Sequence, residues 1–273
     1  TRLADLAAAA GRSALGAVDF EANDLGAVLV ATSTPDGFMP PCAPQVADAL
    51  GAGAAMAWDV NLACTGFVAA LVQGAALIEA GRVDSVLVVG AEIMSRYVDP
   101  GDRSTAMLFG DGAGAALLVA GGPGHVAESV LGADGSMASA LDACPRTGTM
   151  RMDGHTVFRH AVPRMAEACL DVLDRAGRAL EDVDLVVAHQ ANGRITRALA
   201  ARLGLEDERV VDVIADTGNT SAASVPLALA RAAADDRVPA GGLVLLCAFG
   251  GGFAWGAALL ATGEEPIAVE VET

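Results

Sequence analysis

Three short segments of the chain contain residue types that can carry out thiol-based acyl chemistry. They are Asn61–Phe67 (NLACTGF), Ala188–Asn192 (AHQAN) and Gly218–Ala222 (GNTSA). A cysteine thiolate can attack a thioester carbonyl, and histidine and asparagine can donate hydrogen bonds to the oxyanion that forms. His189 lies 125 residues after Cys64, and Asn219 follows 30 residues later. Only a folded structure can bring these three side chains together.

The sequence around Cys64 predicts a turn between a strand and a helix. Val60 and Asn61 precede the cysteine, and the apolar run after Thr65 is typical of a buried helix. At a helix N-terminus, the macrodipole and the free backbone N–H groups favour a thiolate. The alternative is a small buried hydrophobic residue, which is what most lone cysteines are. We keep that interpretation for the other four cysteines, Cys42, Cys144, Cys169 and Cys247.

His189 and Asn219 have both a structural and a functional interpretation. His189 closes an apolar segment, so it is expected at the end of a strand, facing the crevice where sites in α/β sheets usually lie. A histidine satisfied inside the core is the alternative. Asn219 lies in DTGNTS, which by itself is typical of an ordinary turn. Its amide NH₂ can nevertheless donate to an oxyanion, which an aspartate in its place could not do.

Composition excludes several classes of function. The 273 residues carry a formal charge of −17, and all 17 basic residues are arginine. This acidic surplus argues against nucleic acid as a partner. The five cysteines form no CxxC pair, so neither a disulfide framework nor a zinc site is indicated, and a reducing cytoplasm is expected. The first residues lack the basic-then-apolar pattern of a signal peptide.

One uncharged stretch has the length of a membrane span. Residues 242–263 contain no charged side chain over 22 positions, which is enough to cross a bilayer. Gly250–Gly252 interrupts this stretch in the middle, and each half has the length of a strand. We therefore predict two buried strands joined by a glycine turn, and no membrane partner.

Apolar periodicity predicts alternating helices and strands. Near-continuous apolar strands between helices indicate a sheet covered on both faces. The predicted helices are Leu3–Leu15, Cys64–Glu79, Val157–Ala176, Ile195–Leu203 and Val225–Ala234. The predicted strands are Ala27–Ala31, Ser85–Gly90, Ala115–Val119, Leu185–Ala188, Leu243–Ala248 and Trp255–Leu260.

The two halves of the chain also resemble each other. Asp24–Ala31 parallels Val183–Ala188, and each follows an alanine-rich helix and an acidic turn. The pentapeptide GAALL occurs at Gly114–Leu118 and again at Gly256–Leu260. A repeat of this size indicates a duplicated α/β unit, not a solenoid.

Five motifs occur in one order between about Leu25 and about Leu260: ACTGF, GDGAG, HQANGRI, GNTSAASVPLAL and FGGGFAWG. In this order they resemble the β-ketoacyl-acyl-carrier-protein synthase III family of the thiolase superfamily. The resemblance implies an α/β fold, a thiolase-like five-layer αβαβα sandwich made of two duplicated halves. Residues 1–121 would form the half with Cys64, and residues 122–273 the half with His189 and Asn219. Against the family, the first half is expected to lack about fifty N-terminal residues, either absent or disordered, and segment 141–151 is short.

The resemblance also implies roles for the site residues. Cys64 would accept the acyl group, and His189 and Asn219 would stabilise the enolate formed when a malonyl thioester loses CO₂. The backbone N–H groups of Cys64 and Gly251 would form a second oxyanion hole during acylation. The run GDGAG lacks the full GxGxxG spacing and is expected to precede a strand, so a dinucleotide site is not indicated.

Five further residues are predicted to bind substrate by the same resemblance. Arg103 and Arg194 match arginines around the entrance for coenzyme A or carrier protein, although a lone arginine is usually only a solvated side chain. Asn192 would contact the pantetheine arm, and Phe249 would pack against the nucleophile. Met39 would reach across a dimer into the acyl pocket of the neighbouring subunit; a shift of one residue would place Phe38 there.

The expected protein is a cytoplasmic homodimer that condenses an acyl-CoA primer with malonyl-acyl-carrier protein and needs no metal or redox cofactor. An acidic carrier protein would require a local arginine patch, for which Arg194, Arg197 and Arg202 are candidates. Two alternatives remain open. One is an acyltransferase of the same fold that does not condense, and the other is a catalytically silent subunit. The sequence does not distinguish primers, nor fatty-acid from polyketide initiation.

Overall fold

The computed structural model describes residues 1–102, 105–144 and 148–264. The described helices are α1 (Leu3–Gly16), α2 (Cys42–Leu50), α3 (Gly66–Glu79), α4 (Gly154–Arg175), α5 (Gly193–Leu203), α6 (Ile214–Thr217) and α7 (Ser224–Ala234). The described strands are β1 (Ala27–Ala31), β2 (Met56–Val60), β3 (Ser85–Ile93), β4 (Asp111–Val119), β5 (His125–Ala133), β6 (Leu141–Cys144), β7 (Thr149–Met152), β8 (Leu185–Ala188), β9 (Leu243–Gly250) and β10 (Ala254–Ala261). Short 3₁₀ turns at Ala63–Thr65, Ser221–Ala223 and Gly251–Phe253 contribute to the candidate site.

Two four-stranded sheets form the framework. The first has the order β2-β1-β3-β4, with β1 parallel to β2 and β3, and β4 antiparallel to β3. The second has the order β8-β9-β10-β5, with β8 and β9 parallel and the remaining pairs antiparallel. Every residue of β1, β3 and β8 is buried, as expected for strands covered on both faces.

The helices lie in three layers around these sheets. Helices α1 and α2 cover the outer face of the first sheet, and α4 covers the outer face of the second with α5 packed beside it. Helices α3 and α7 lie between the two sheets and contact both. A helix surrounded by sheet must be apolar on all sides, which explains why α3 shows so little polar face. The predicted five-layer αβαβα sandwich is confirmed.

The duplication predicted from the internal repeats is visible in the topology. The series β1-β3-β4 and β8-β9-β10 share the same order, two parallel strands followed by an antiparallel one. Helix α3 precedes β3 as α7 precedes β9. An isolated parallel bridge between Val186 and Val210 lies where β2 pairs with β1 in the first half. The division at residues 121 and 122 falls between β4 and β5 and remains a prediction as a domain boundary.

The uncharged stretch at 242–263 forms β9 and β10, an antiparallel pair joined by the turn at Gly251–Phe253, as predicted. In this turn Gly252 has a φ of 72°, which favours glycine. Across the described ranges, no helix is long and apolar enough to cross a membrane.

The expectation for the GDGAG run was wrong in one respect. The strand begins at Asp111, so most of the run lies inside β4 and does not precede it. Its glycines serve close packing, because a Cβ added at Gly114 would lie 3.0 Å from the backbone nitrogen of Leu227 in α7. Sequence periodicity also missed α2, α6, β5 and the β6–β7 hairpin. It predicted a strand before Cys64 without giving its bounds, and this strand is β2.

Candidate active site

Cys64 lies in the 3₁₀ turn that connects β2 to α3, as the sequence predicts. The adjacent Thr65 hydroxyl donates to the carbonyl oxygen of Ala254 at 3.0 Å and ties this turn to the second sheet. The cysteine is 8% exposed. The nucleophile candidate therefore sits between the two halves of the protein, at the N-terminus of a central helix.

The surroundings of Cys64 act on its pKa in both directions. Burial raises the pKa of the thiol to about 11, and the carboxyl of Glu92 also raises it. The nearby Ser221 hydroxyl and the backbone N–H groups of Cys64 and Gly251 lower it. These two N–H groups are the pair predicted to form the acylation oxyanion hole, and both act on the sulfur. An N–H pair that favours a thiolate can also favour an oxyanion beside it.

His189 directly follows β8, and its backbone N–H donates to Cys247 O at 2.8 Å. Its side chain is 2% exposed, and burial lowers its pKa to about 4, so the imidazole is neutral near pH 7. Nδ1 lies 2.5 Å from the hydroxyl oxygen of Ser224, the first residue of α7. In the tautomer in which the Ser224 hydroxyl donates to Nδ1, the hydroxyl oxygen still accepts from Gln190 N–H at 3.4 Å. The ring proton then resides on Nε2, which becomes a donor.

Asn219 is held at both its backbone and its side chain. Its N–H donates to Leu108 O at 2.7 Å, and its carbonyl accepts from Gly110 N–H at 3.0 Å. The side-chain oxygen Oδ1 accepts from the backbone N–H of Ser221 at 2.9 Å. With Oδ1 oriented in this way, the NH₂ group of this 6% exposed amide is the part that can donate to a substrate.

The three predicted residues belong to neighbouring turns. The turn at Ala63–Thr65 contacts both the turn at Ser221–Ala223 and strand β9. A Cβ added at Gly250 would lie 2.7 Å from the backbone nitrogen of Cys64. Ser224, which bonds to the His189 ring, directly follows the Ser221–Ala223 turn. The fold thus gathers all three predictions at the N-terminal ends of α3 and α7.

The predicted binding residues are more dispersed. Asn192 caps α5, since its Oδ1 accepts from the N–H groups of Arg194 and Ile195 at 3.0 and 3.1 Å. Arg194 is exposed in the first turn of that helix, and Met39 is exposed in the segment between β1 and α2. The Phe249 ring is buried and packs edge-to-face on Phe253, with 5.1 Å between centroids. Arg103 lies outside the described residues.

Sequence reasoning missed two buried polar residues near the site. Gln190 bonds to Ala188 O, Val211 O and Val213 N and fixes the loop after β8. Glu92 is 0% exposed near the end of β3 and bonds to Ser221. Glu92 had a detectable signal, because it is the only charged side chain in the apolar run of β3.

One sizeable cavity lies apart from this site. It has a volume of about 1080 Å³ and runs along β4 beside α1, α3 and α7. Its lining includes none of Cys64, His189 and Asn219. Within the part of the chain that the structure describes, no group of three or more His, Cys, Asp or Glu side chains could hold a metal ion.

The two-half sandwich defines the chain as a thiolase-fold protein. The profile of 3-oxoacyl-[acyl-carrier-protein] synthase III matches residues 58–135, and the profile of the C-terminal domain of that synthase matches residues 173–262. The chain therefore belongs to the β-ketoacyl-acyl-carrier-protein synthase III family.

Individual relatives are similar over nearly the whole chain. β-Ketoacyl-[acyl-carrier-protein] synthase III 2 of Streptomyces coelicolor is 48% identical over 271 residues, covering 98% of this chain and 82% of the relative. The structure of the 3-oxoacyl-[acyl-carrier-protein] synthase III of Aquifex aeolicus superposes with a TM-score of 0.93 at 40% identity, covering 96% of this chain and 85% of the other. The structure of the priming β-ketosynthase of the R1128 polyketide pathway superposes with a TM-score of 0.89 at 38% identity, covering 96% of this chain and 83% of the other.

Proposed function

We propose that the protein catalyses the decarboxylative condensation of an acyl-CoA primer with malonyl-acyl-carrier protein, giving a β-ketoacyl thioester. The observation that carries the proposal is the gathering of Cys64, a neutral His189 and an Asn219 amide oriented to donate at the ends of α3 and α7. Membership of the synthase III family supports it.

In the first half-reaction, the Cys64 thiol gives up its proton to solvent, and the resulting thiolate attacks the thioester carbonyl of the primer. The new carbon–sulfur bond puts negative charge on the carbonyl oxygen, and the backbone N–H groups of Cys64 and Gly251 stabilise it. When the tetrahedral intermediate collapses, the bond to the sulfur of coenzyme A breaks. Coenzyme A leaves as a thiolate that takes up a proton, and the acyl group stays on Cys64.

In the second half-reaction, the thioester oxygen of the malonyl group accepts hydrogen bonds from Nε2–H of His189 and the amide of Asn219. The bond to the carboxylate breaks, CO₂ leaves, and the electron pair forms an enolate. Its carbon attacks the acyl carbonyl on Cys64, a carbon–carbon bond forms, and the Cys64 thiolate is released. Two neutral donors suit this step, because a positively charged imidazole could also transfer a proton to the carbanion and quench it.

The partners follow from these substrates. We propose that coenzyme A thioesters and acyl carrier protein enter near the exposed Arg194 and Arg197 of α5, two helical neighbours on an otherwise acidic protein. Asn192 caps the same helix, so a substrate that enters there would bring its pantetheine arm near this residue. The chemistry draws only on side chains and backbone groups, so we propose no cofactor. A homodimer, with the exposed Met39 segment at the subunit contact, completes the proposal.

Intact-mass spectrometry tests the function directly. The protein is mixed with a panel of acyl-CoAs and then with malonyl-acyl-carrier protein, while CO₂ release is followed. We expect an acyl adduct in the wild type, its loss in Cys64→Ser, and its retention in Cys42→Ser, which alters a buried thiol whose pKa is raised to about 12. Acylation without CO₂ release for any primer would replace condensation by plain acyl transfer. No adduct at all would favour a silent subunit.

A further inference from the structure

Glu92 is a fully buried carboxyl group that the proposed mechanism does not use. It lies next to the last residue of β3 with 0% exposure. A buried carboxyl group is costly unless hydrogen bonds replace its lost hydration. Here the hydroxyls of Thr32, Ser33, Thr34 and Ser221 donate to it at 3.2, 2.8, 2.6 and 3.0 Å, and the Ser33 N–H donates at 3.1 Å.

These donors come from two separate parts of the fold. All but one belong to the segment Thr32–Thr34, which directly follows β1. The remaining donor is Ser221, which lies 129 residues away along the chain and two residues after Asn219. Glu92 therefore connects the segment that follows β1 to the turn at Ser221–Ala223.

Ser221 transmits this connection to Asn219. Its φ is 49°, in the left-handed region that residues other than glycine rarely adopt. In this conformation its hydroxyl donates to Glu92 while its backbone N–H donates to Oδ1 of Asn219 at 2.9 Å. A change at the Glu92 end of Ser221 would therefore turn or release the N–H that orients the Asn219 amide.

We infer that Glu92 is a positioning residue for decarboxylation, which acts through Ser221 to hold the Asn219 amide toward the substrate oxygen. This inference rests on the proposed function. It assigns to Glu92 no contact with substrate and no transfer of a proton.

The electrostatics of the site predict that Glu92 has opposite effects on the rates of the two half-reactions. Glu92 raises the pKa of the Cys64 thiol, so it disfavours the thiolate needed for acylation. Burial raises the pKa of Glu92 as well, although hydrogen bonds from Thr34, Ser33 and Ser221 oppose this shift. Glu92 thus hinders acylation and orients a donor for decarboxylation. Removing its charge should therefore leave acylation unimpaired or faster and should slow decarboxylation.

The experiment compares Glu92→Gln with the wild type in both half-reactions. We expect acylation of Cys64 at the wild-type rate or faster. The kcat of CO₂ release should fall by about 10- to 100-fold with little change in KM for malonyl-acyl-carrier protein, less than the roughly 10²–10³-fold cost of removing an oxyanion donor. Equal losses in both half-reactions would indicate a general structural role and overturn the inference.

Two serines that donate to the same Oε1 atom provide a matched pair. Ser221→Ala breaks the connection toward Asn219, whereas Ser33→Ala breaks a bond of similar length on the opposite side. Ser221→Ala should reproduce the loss of CO₂ release, and Ser33→Ala should not. The double variant of Glu92→Gln and Ser221→Ala should lose little more than either single variant, because both break one connection. Equal behaviour of the two serine variants would contradict the inference.

Ser221→Ala also provides the test if Glu92→Gln does not fold, as judged by its melting temperature. Failure of the inference is distinct from failure of the proposed function. If the wild type condenses and Glu92→Gln or Ser221→Ala condenses equally fast, only the inference fails. If the wild type itself acylates without releasing CO₂, the proposed function fails and the inference falls with it.

Discussion

Gly250 lies directly against Cys64. A Cβ atom added at Gly250 would lie 2.7 Å from the backbone nitrogen of Cys64 and 2.9 Å from its Cβ. Gly250 has a φ of −155°, so an extended backbone that any residue adopts is compatible with the position. The glycine is therefore required by the close approach of β9 to the nucleophile turn and not by backbone freedom.

Gly250→Ala is expected to displace Cys64 from its N–H pair. The added methyl group must push away backbone atoms, which typically costs about 1–3 kcal/mol of folding stability. The burst of acylation should fall more than this stability loss predicts, because the nucleophile itself moves. Gly53→Ala is the control, since an added Cβ there meets no atom within 4 Å. A variant of Gly250 that acylates like Gly53→Ala would show that the close approach has no catalytic consequence.

Asn219→Asp should separate the two half-reactions. An aspartate can still accept the Ser221 N–H, so the turn keeps its hydrogen bond, but the amide donor is replaced by an acceptor with its own charge. We expect CO₂ release to fall by about 10²–10³-fold, while acylation of Cys64, which uses the backbone pair, survives far better. Asn23→Asp, an exposed change before β1, controls for the added charge. Parallel losses in both measurements would contradict the assigned role.

His189 should make stability depend on pH. Its pKa falls from 6.5 to about 4 on burial, so the unfolded chain binds more protons than the folded protein between these values. The stabilisation is complete above pH 6.5 and is lost as pH falls toward 4. From pH 7 to pH 5, the free energy of unfolding measured in urea should fall by about 2 kcal/mol more for the wild type than for His189→Gln. This follows from about 1.4 kcal/mol per pH unit for one proton. Identical pH dependence would mean that His189 is not buried in its neutral form.

Arg194→Glu tests the proposed docking of carrier protein. Arg194 is exposed, and reversing its charge should weaken attraction to an acidic partner more than to a small thioester mimic. We expect KM for malonyl-acyl-carrier protein to rise more than KM for the mimic. Arg178→Glu is the matched control, because this exposed arginine precedes β8 and so lies at the end of that strand opposite His189. An equal rise in KM for both substrates would mean that Arg194 does not contribute to docking of the carrier protein.

Local sequence patterns were sufficient for the elements with strong periodicity. The apolar runs of β1, β8, β9 and β10 appeared where predicted, and the glycine run between β9 and β10 formed the expected turn. The same patterns missed β5 and gave no bounds for β2, because the residues of both strands are mostly half-buried or exposed and so show little apolar contrast. The elements that were missed are largely those with weak burial patterns.

Short sequence motifs are enough to identify the residue types of the site and their order along the chain. They placed Cys64 at a helix start and His189 at a strand end, because both positions follow from short apolar runs. Two contacts became visible only in the folded protein: the Glu92 carboxyl group of β3 bonds to Ser221, 129 residues away, and Ser224 bonds to the His189 ring. Sheet order and helix packing set these contacts. The residues next to a polar group in the sequence do not indicate which distant atom will complete its buried hydrogen bond.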